Sequence, residues 1–113
     1  MVAKPKGEVL PGTLEMLILA VLRRAPLHGY AIAQEIHRES GRILRPEEGS
    51  LYPALQRLLI EGWVSAEWGM SARNRKVRIY TLTAAGHKHL DHQAKSMGRM
   101  IDGLNRILRL AES

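Results

Sequence analysis

Cysteine and phenylalanine are both absent from this chain of 113 residues. Without cysteine there can be no disulfide framework, no thiolate metal ligand and no thiol nucleophile. Because phenylalanine is absent, the core must consist mainly of aliphatic side chains, with tyrosine and tryptophan at a few sites. A chain of this length accommodates one domain and about one additional helix.

Long apolar runs are also missing. No stretch of the sequence approaches the roughly 20 apolar residues that cross a bilayer. The segment from Met1 to Pro11 contains two lysines but no apolar core of the kind that a signal peptide has. We therefore expect a cytoplasmic protein without a membrane partner.

Acidic residues are few: 11 aspartates and glutamates stand against 17 lysines and arginines, which gives a net charge of +6. A sequence pI near 10.2 is typical of proteins that bind polyanions. This balance is equally compatible with DNA, RNA and an anionic membrane surface, so the choice among them depends on where the charges lie.

Groups that could perform catalysis are scarce as well. The sequence contains no glycine-rich phosphate loop and no nucleophile motif. His87, His89 and His92 suggest a metal site, but only His89 and His92 share a helical face, and His87 can instead pair with Asp91. We predict neither an enzyme nor a bound metal or other cofactor.

Helical periodicity organises the first half of the chain. Residues 1–12 form an irregular arm, and Thr13 is the expected cap of a first helix with an apolar stripe over residues 14–22. A second helix is predicted from about Gly29 to Ser40. Ile43 and Leu44 form an apolar pair long enough for a short strand.

A third helix is predicted over residues 49–61, ending at Gly62. One side of it is apolar and the other is polar, and Pro53 is expected to be tolerated because it lies in the first turn. Beyond Gly62 the period changes from 3.6 to 2 in residues 63–68 and 77–82, which predicts a β-hairpin. The fold class is therefore α+β, mainly α: a winged helix-turn-helix of three helices and a hairpin wing over residues 13–82.

The tail, residues 83–113, predicts one long helix. Its apolar residues are spaced by 4, 3, 4, 3 and 4 positions, the heptad pattern of a helix that packs on another helix. We interpret this seam as the contact between two copies of the chain; the alternative is a fourth helix folded back on its own domain. The seam residues are Leu90, Ala94, Met97, Ile101, Leu104 and Leu108.

The cationic surplus is concentrated where a winged helix would meet DNA. The hairpin tip carries several cations and no acid, and the polar side of the third helix has groups that can hydrogen-bond to base edges. A solvated turn and an ordinary surface helix are the alternatives, and Tyr52 could equally be an edge-of-core residue. The predicted DNA-binding residues are Lys4, Lys6, Ser50, Tyr52, Pro53, Gln56, Arg57, Arg73, Asn74, Arg75, Lys76 and Arg78.

The run EGSLYPAL at residues 48–55, followed by EGWV at 61–64, closely resembles the PadR family of bacterial regulators. HGY at 28–30 and LTAAG at 82–86 match the rest of that pattern, so the resemblance covers nearly the whole chain. It implies a winged helix-turn-helix, a C-terminal helix that exchanges around a partner, and repression at a palindromic double-stranded DNA operator. The tail resembles the subgroup with a single C-terminal helix.

One position departs from the family. Many relatives have a tryptophan where this sequence has Met97, and in some of them tail aromatics help to line a drug pocket between subunits. A site for flat aromatic effectors is therefore in doubt here, and Met97 and Met100 are expected to fill the core or the interface. Two other functions are compatible with the sequence: a protein-interaction module, and a sensor that releases DNA when a small apolar effector binds.

Overall fold

The three-dimensional structure, a computed structural model, describes residues 12–112, so the predicted contacts of Lys4 and Lys6 lie outside the described residues. Within residues 12–112, seven elements follow one another and produce the expected winged helix with a long final helix. They are α1 (Thr13–Leu22), β1 (Leu27–His28), α2 (Gly29–Glu39), α3 (Glu48–Ile60), β2 (Val64–Met70), β3 (Lys76–Leu82) and α4 (Ala84–Glu112).

The starts of the first two helices differ in their caps. Gly12, with φ of 85°, occupies the cap position of α1, so the prediction that Thr13 caps this helix was wrong; Thr13 is the first helical residue. At α2 the cap is His28, whose Nδ1 accepts a hydrogen bond from the Ala31 amide at 3.3 Å. His28 therefore supplies one acceptor for the unpaired N–H groups of the first turn.

The sheet has three antiparallel strands in the order β1-β3-β2. The short strand predicted at Ile43 and Leu44 was misplaced: this segment is irregular, and the third strand is instead Leu27–His28, paired with Tyr80 and Ile79. The amide of Leu44 donates to Ser40 Oγ at 3.0 Å, not to a strand. A two-residue strand has no periodicity, and it exists here only because β3 offers a free edge.

The core lies between the three helices and the base of the sheet. It is aliphatic, as the lack of phenylalanine requires, with Tyr80 as its one aromatic member among the described residues. The other buried members of this cluster are Leu14, Ile18, Leu19, Leu22, Ile32, Ile36, Leu51, Ala54, Leu55, Leu58, Val64 and Leu90.

Helix α4 belongs partly to this core. Leu90 is only 3% exposed and packs within its own chain, so its assignment to the dimer seam is corrected: α1 already covers it. Asp91, expected to pair with His87, instead forms a salt bridge with Arg23 at the end of α1, at 3.2 Å. The fold-back alternative therefore holds for the first turns of α4, whereas residues 98–112 are exposed along their whole length.

The junction between α3 and α4 is closely packed. Thr83 Oγ1 donates to the Gly62 carbonyl at 2.7 Å and accepts from the Gly86 amide at 3.0 Å, which caps α4. The rings of Trp63 and His89 stack with centroids 3.5 Å apart. A Cβ atom on Gly86 would overlap the Trp63 carbonyl oxygen. These contacts place the start of α4 against the end of α3.

Among residues 12–112, no helix is long and apolar enough to cross a membrane.

Candidate nucleic-acid interface

Helix α3 separates its side chains into a buried and an exposed side. Leu51, Ala54, Leu55 and Leu58 face the core. The predicted DNA-facing residues Ser50, Tyr52, Pro53, Gln56 and Arg57 are all exposed on the other side. The polar side is thus available to a ligand over two turns of the helix.

Pro53 lies deeper in α3 than the sequence suggested. The helix begins at Glu48, which makes Pro53 its sixth residue and places it beyond the first turn. Proline has no N–H, so the carbonyl of Gly49, four residues earlier, lacks its usual intrahelical donor. The prediction that Pro53 is tolerated as a first-turn residue was therefore wrong.

Tyr52 packs on the start of α2 while remaining half exposed. A Cβ atom on Gly29 would lie 2.9 Å from both Cε1 and the hydroxyl of Tyr52, so a larger residue at this position would require the ring to shift. Beside it lies Tyr80, whose pKa is raised chiefly by burial. Tyr52 is thus both a packing residue at the edge of the core and a residue of the exposed face.

Arg57 has a partner that the sequence did not reveal. Its Nη2 forms a salt bridge with Glu15 Oε1 at 2.9 Å, and this hydrogen bond raises the pKa of the guanidinium. The two residues are 42 positions apart. Glu15 thus holds the charge of Arg57 along the α1 side of α3, and Gln56 beside it is exposed.

The tip of the hairpin between β2 and β3, the wing, is a defined turn. Ser71 N donates to the Arg75 carbonyl at 2.8 Å, and Asn74 N donates to the Ser71 carbonyl at 2.9 Å. Asn74 adopts φ of 60°, a left-handed conformation that asparagine tolerates. Ser71 Oγ accepts from the amides of Arg73 and Arg75. Sequence reasoning missed Ser71, which organises the loop that presents these two arginines.

Trp68 is a second residue that the sequence reasoning did not select. The strand register places it opposite Arg78 and places Met70 opposite Lys76. Lys76 Nζ lies 5.1 Å and Arg78 Cζ lies 5.7 Å from the centroid of the Trp68 ring, within the range of cation–π contacts. Two of the predicted wing cations therefore share one exposed aromatic ring.

A cleft of about 780 Å³ separates the wing from the helices. On one wall lie Trp68, Arg73, Arg75, Lys76 and Arg78, and on the other lie Gly29, Tyr30, Gln34 and Tyr52. The cationic wall therefore faces the start of α2 and the Tyr52 ring of α3 across open space. This arrangement can hold an anionic strand in the cleft while α3 approaches base edges.

The tail histidines do not converge. His89 stacks on Trp63. Within residues 12–112, no group of three or more histidine, aspartate or glutamate side chains is arranged to hold a metal ion.

Comparison with known sequences relates this chain to a family of transcriptional regulators. The sequence model of the Transcriptional regulator PadR-like family matches residues 18–92. The chain is 42% identical over 86 residues to an uncharacterized 37.1 kDa protein in transposon TN4556 of Streptomyces fradiae. It is 30% identical over 77 residues to the negative transcriptional regulator PadR of Bacillus subtilis. These matches cover 76% and 68% of this chain, but only 23% and 42% of the relatives.

Solved structures agree with the fold. A PadR family transcription regulator from Clostridium difficile superposes with a TM-score of 0.73 at 25% identity, covering 86% of this chain and 99% of that one. Bacillus subtilis PadR in complex with operator DNA superposes with a TM-score of 0.65 at 28% identity, covering 73% of this chain and 47% of that one.

Proposed function

The chain belongs to the PadR-like family of transcriptional regulators, and from this premise we propose that it binds double-stranded operator DNA sequence-specifically through α3 and the wing. The observation that carries the proposal is the cleft, in which the cationic wall of the wing faces the start of α2 and Tyr52, the residue through which α3 lines it. Phosphate contacts supply affinity, and base contacts in the major groove supply discrimination.

The roles divide between the two elements. Arg73, Arg75, Lys76 and Arg78 neutralise phosphates, and Asn74 shapes the tip that carries them. Ser50, Tyr52, Pro53, Gln56 and Arg57 form the groove-facing side of α3, and Gln56 is the residue we assign to base reading. Arg57 contacts the DNA backbone, because its salt bridge with Glu15 already orients the guanidinium toward that side of α3.

We further propose that the protein is a repressor. The Bacillus subtilis relative is called a negative transcriptional regulator, and it has been solved with operator DNA. A winged helix that occupies an operator blocks access to that duplex without any further catalytic group.

Dimerisation through α4 completes the proposal. Beyond the part of α4 that packs on α1, the seam residues Ile101, Leu104 and Leu108 are 46–60% exposed, and Met100 and Ile107 extend this apolar stripe. Ala94 and Met97 lie where the helix leaves the domain. A second copy of the same helix, carrying the same heptad seam, is the occupant that fits it.

Replacing Leu104 with glutamate tests this seam. We expect the dimer dissociation constant to rise at least about 100-fold, because each copy loses a leucine contact worth roughly 1.5–3 kcal/mol and two like charges are placed in the seam. Mass measured by light scattering across a dilution series reports the change. Arg106→Glu, on the outer side of the helix, is the matched control and should keep the wild-type mass. Wild-type behaviour of Leu104→Glu at every concentration would show that the seam lies elsewhere.

Release by a small-molecule effector is a further part of the hypothesis. Such a ligand would enter between two tails, where this chain offers Met97 and Met100 in place of a flat aromatic wall. Flexible thioether side chains adapt to apolar ligands of several shapes.

Selection from random duplex DNA, with particle mass recorded in parallel, tests the proposal as a whole. We expect enrichment of a palindrome whose half-sites are about one helical turn, roughly 10 base pairs, apart, bound by a two-chain particle. A folded dimer that enriches no sequence at any salt concentration would contradict operator binding and favour the protein-interaction module.

A further inference from the structure

We propose that Trp68 is a positioning residue for DNA binding, whose ring holds Lys76 and Arg78 toward the cleft so that both cations meet the phosphate backbone in a preformed arrangement. This inference rests on the proposed function. It assigns a role to an exposed aromatic side chain that the core does not need.

The strand register explains how three side chains from two strands come together. Trp68 and Arg78 are direct cross-strand partners, and Lys76 pairs with Met70, the next residue of β2 on the same face. Side chains directly opposite or diagonal on one face of an antiparallel pair are within reach of each other when one is a large aromatic. The register alone thus places both cations beside the indole.

Burial along this face shows that Trp68 is not held by the core. Toward the base of the hairpin, Val64 is 3% exposed and Tyr80 is 7% exposed. Two residues after Ala66, Trp68 is 63% exposed, and Met70 is 58% exposed. An indole so far from the packed interior gains little from apolar burial, and its recorded ring contacts are with Lys76 and Arg78.

The wing therefore carries two kinds of cation. Arg73 and Arg75 extend from the turn that Ser71 organises. Lys76 and Arg78 lie over a ring that forms part of the cleft wall. An aromatic face that contacts one side of an ammonium or guanidinium group leaves its other donors free for a phosphate oxygen.

Holding a long side chain in place before binding has a measurable consequence. Ordering one flexible side chain at an interface typically lowers affinity by about two- to tenfold, and one exposed cation–π contact corresponds to a similar factor. If the Trp68 ring orders two cations in the free protein, its removal should cost roughly tenfold in affinity while the charges themselves remain.

The test is a double-mutant cycle on the full chain, read out as affinity for a 20-base-pair duplex of arbitrary sequence at about 0.1 M salt. We expect Trp68→Leu to weaken binding about tenfold and Trp68→Phe, which retains a ring, to remain within about threefold of wild type. In a background carrying Lys76→Ala and Arg78→Ala, Trp68→Leu should change affinity less than twofold. Equal thermal midpoints for the variants confirm that folding is unchanged.

Two results would overturn the inference. An equal loss from Trp68→Leu in both backgrounds would mean that the indole acts independently of the cations, and no loss in the wild-type background would mean that it positions nothing. Both are distinguishable from failure of the proposed function, in which the Lys76→Ala, Arg78→Ala protein binds duplex as tightly as wild type or the wild type binds none.

Discussion

Reversing the charge of Arg73, Arg75 and Lys76 to glutamate is expected to weaken binding to every duplex at least 100-fold at about 0.1 M salt. Each phosphate contact contributes about 0.9 to the slope of log affinity against log salt, so a dimer that loses three contacts in each copy has a slope lower by about 5.4. The three contacts of one copy alone correspond to a factor of roughly 500 in affinity at about 0.1 M salt relative to 1 M salt. The measurement is a salt titration of affinity for operator and for unrelated duplex.

A matched control separates local contacts from net charge. Lys95, Arg99 and Arg106 are exposed on α4, away from both the wing and the heptad seam, and their reversal changes the net charge by the same amount. We expect this control to alter affinity far less. Wing reversal that leaves both affinity and salt slope intact would contradict our account of the wing.

Replacing Gln56 with alanine should instead reduce the preference for operator over unrelated duplex, because a base contact carries sequence information that a phosphate contact lacks.

Replacing Gly86 with alanine is expected to destabilise the fold by about 3 kcal/mol. The added Cβ would overlap the Trp63 carbonyl oxygen and would lie 2.9 Å from Leu82 Cδ1, and a backbone oxygen cannot move aside as a flexible side chain can. Overpacking of this kind typically costs 1–3 kcal/mol and occasionally more. A loss of about 3 kcal/mol lowers the unfolding midpoint of a domain of this size by roughly 10–20 °C.

Gly103→Ala is the control for helix propensity. It lies in the same helix, and nothing comes within 4 Å of the position that its Cβ would take. Alanine should stabilise the helix there by about 1 kcal/mol. Thermal unfolding followed by circular dichroism at one protein concentration compares the two variants. A midpoint for Gly86→Ala equal to or above that of Gly103→Ala would contradict the close contact between α4 and Trp63.

The elements with a strong period were predictable from the sequence. The change of period after Gly62 located both strands of the wing to within two residues at each end, and the family and the fold class are confirmed. The strand at Leu27–His28 was not predictable, because two residues show no alternation and their strand character comes from pairing with Tyr80 and Ile79.

Side-chain partners were harder to predict than elements. The heptad spacing correctly identifies Leu90 as an apolar helix position, but spacing cannot tell whether the chain's own α1 or a second copy covers it. The Arg57–Glu15 salt bridge joins residues from two helices whose packing angle no local pattern encodes. The role of Trp68 depends on the strand register, which places it opposite Arg78 and diagonal to Lys76.

The continuity of α4 has a consequence for how such a tail can change in length. Its first turns are held against α1 and the end of α3, and no break separates them from the exposed seam. Each inserted residue would turn everything beyond it by about 100° and advance it by about 1.5 Å. One added residue would thus point the apolar stripe sideways relative to the wing, whereas seven would nearly restore its direction. The length of α4 therefore sets the direction of the apolar stripe relative to the wing. Insertions or deletions preserve that direction only when they add or remove close to a whole number of turns.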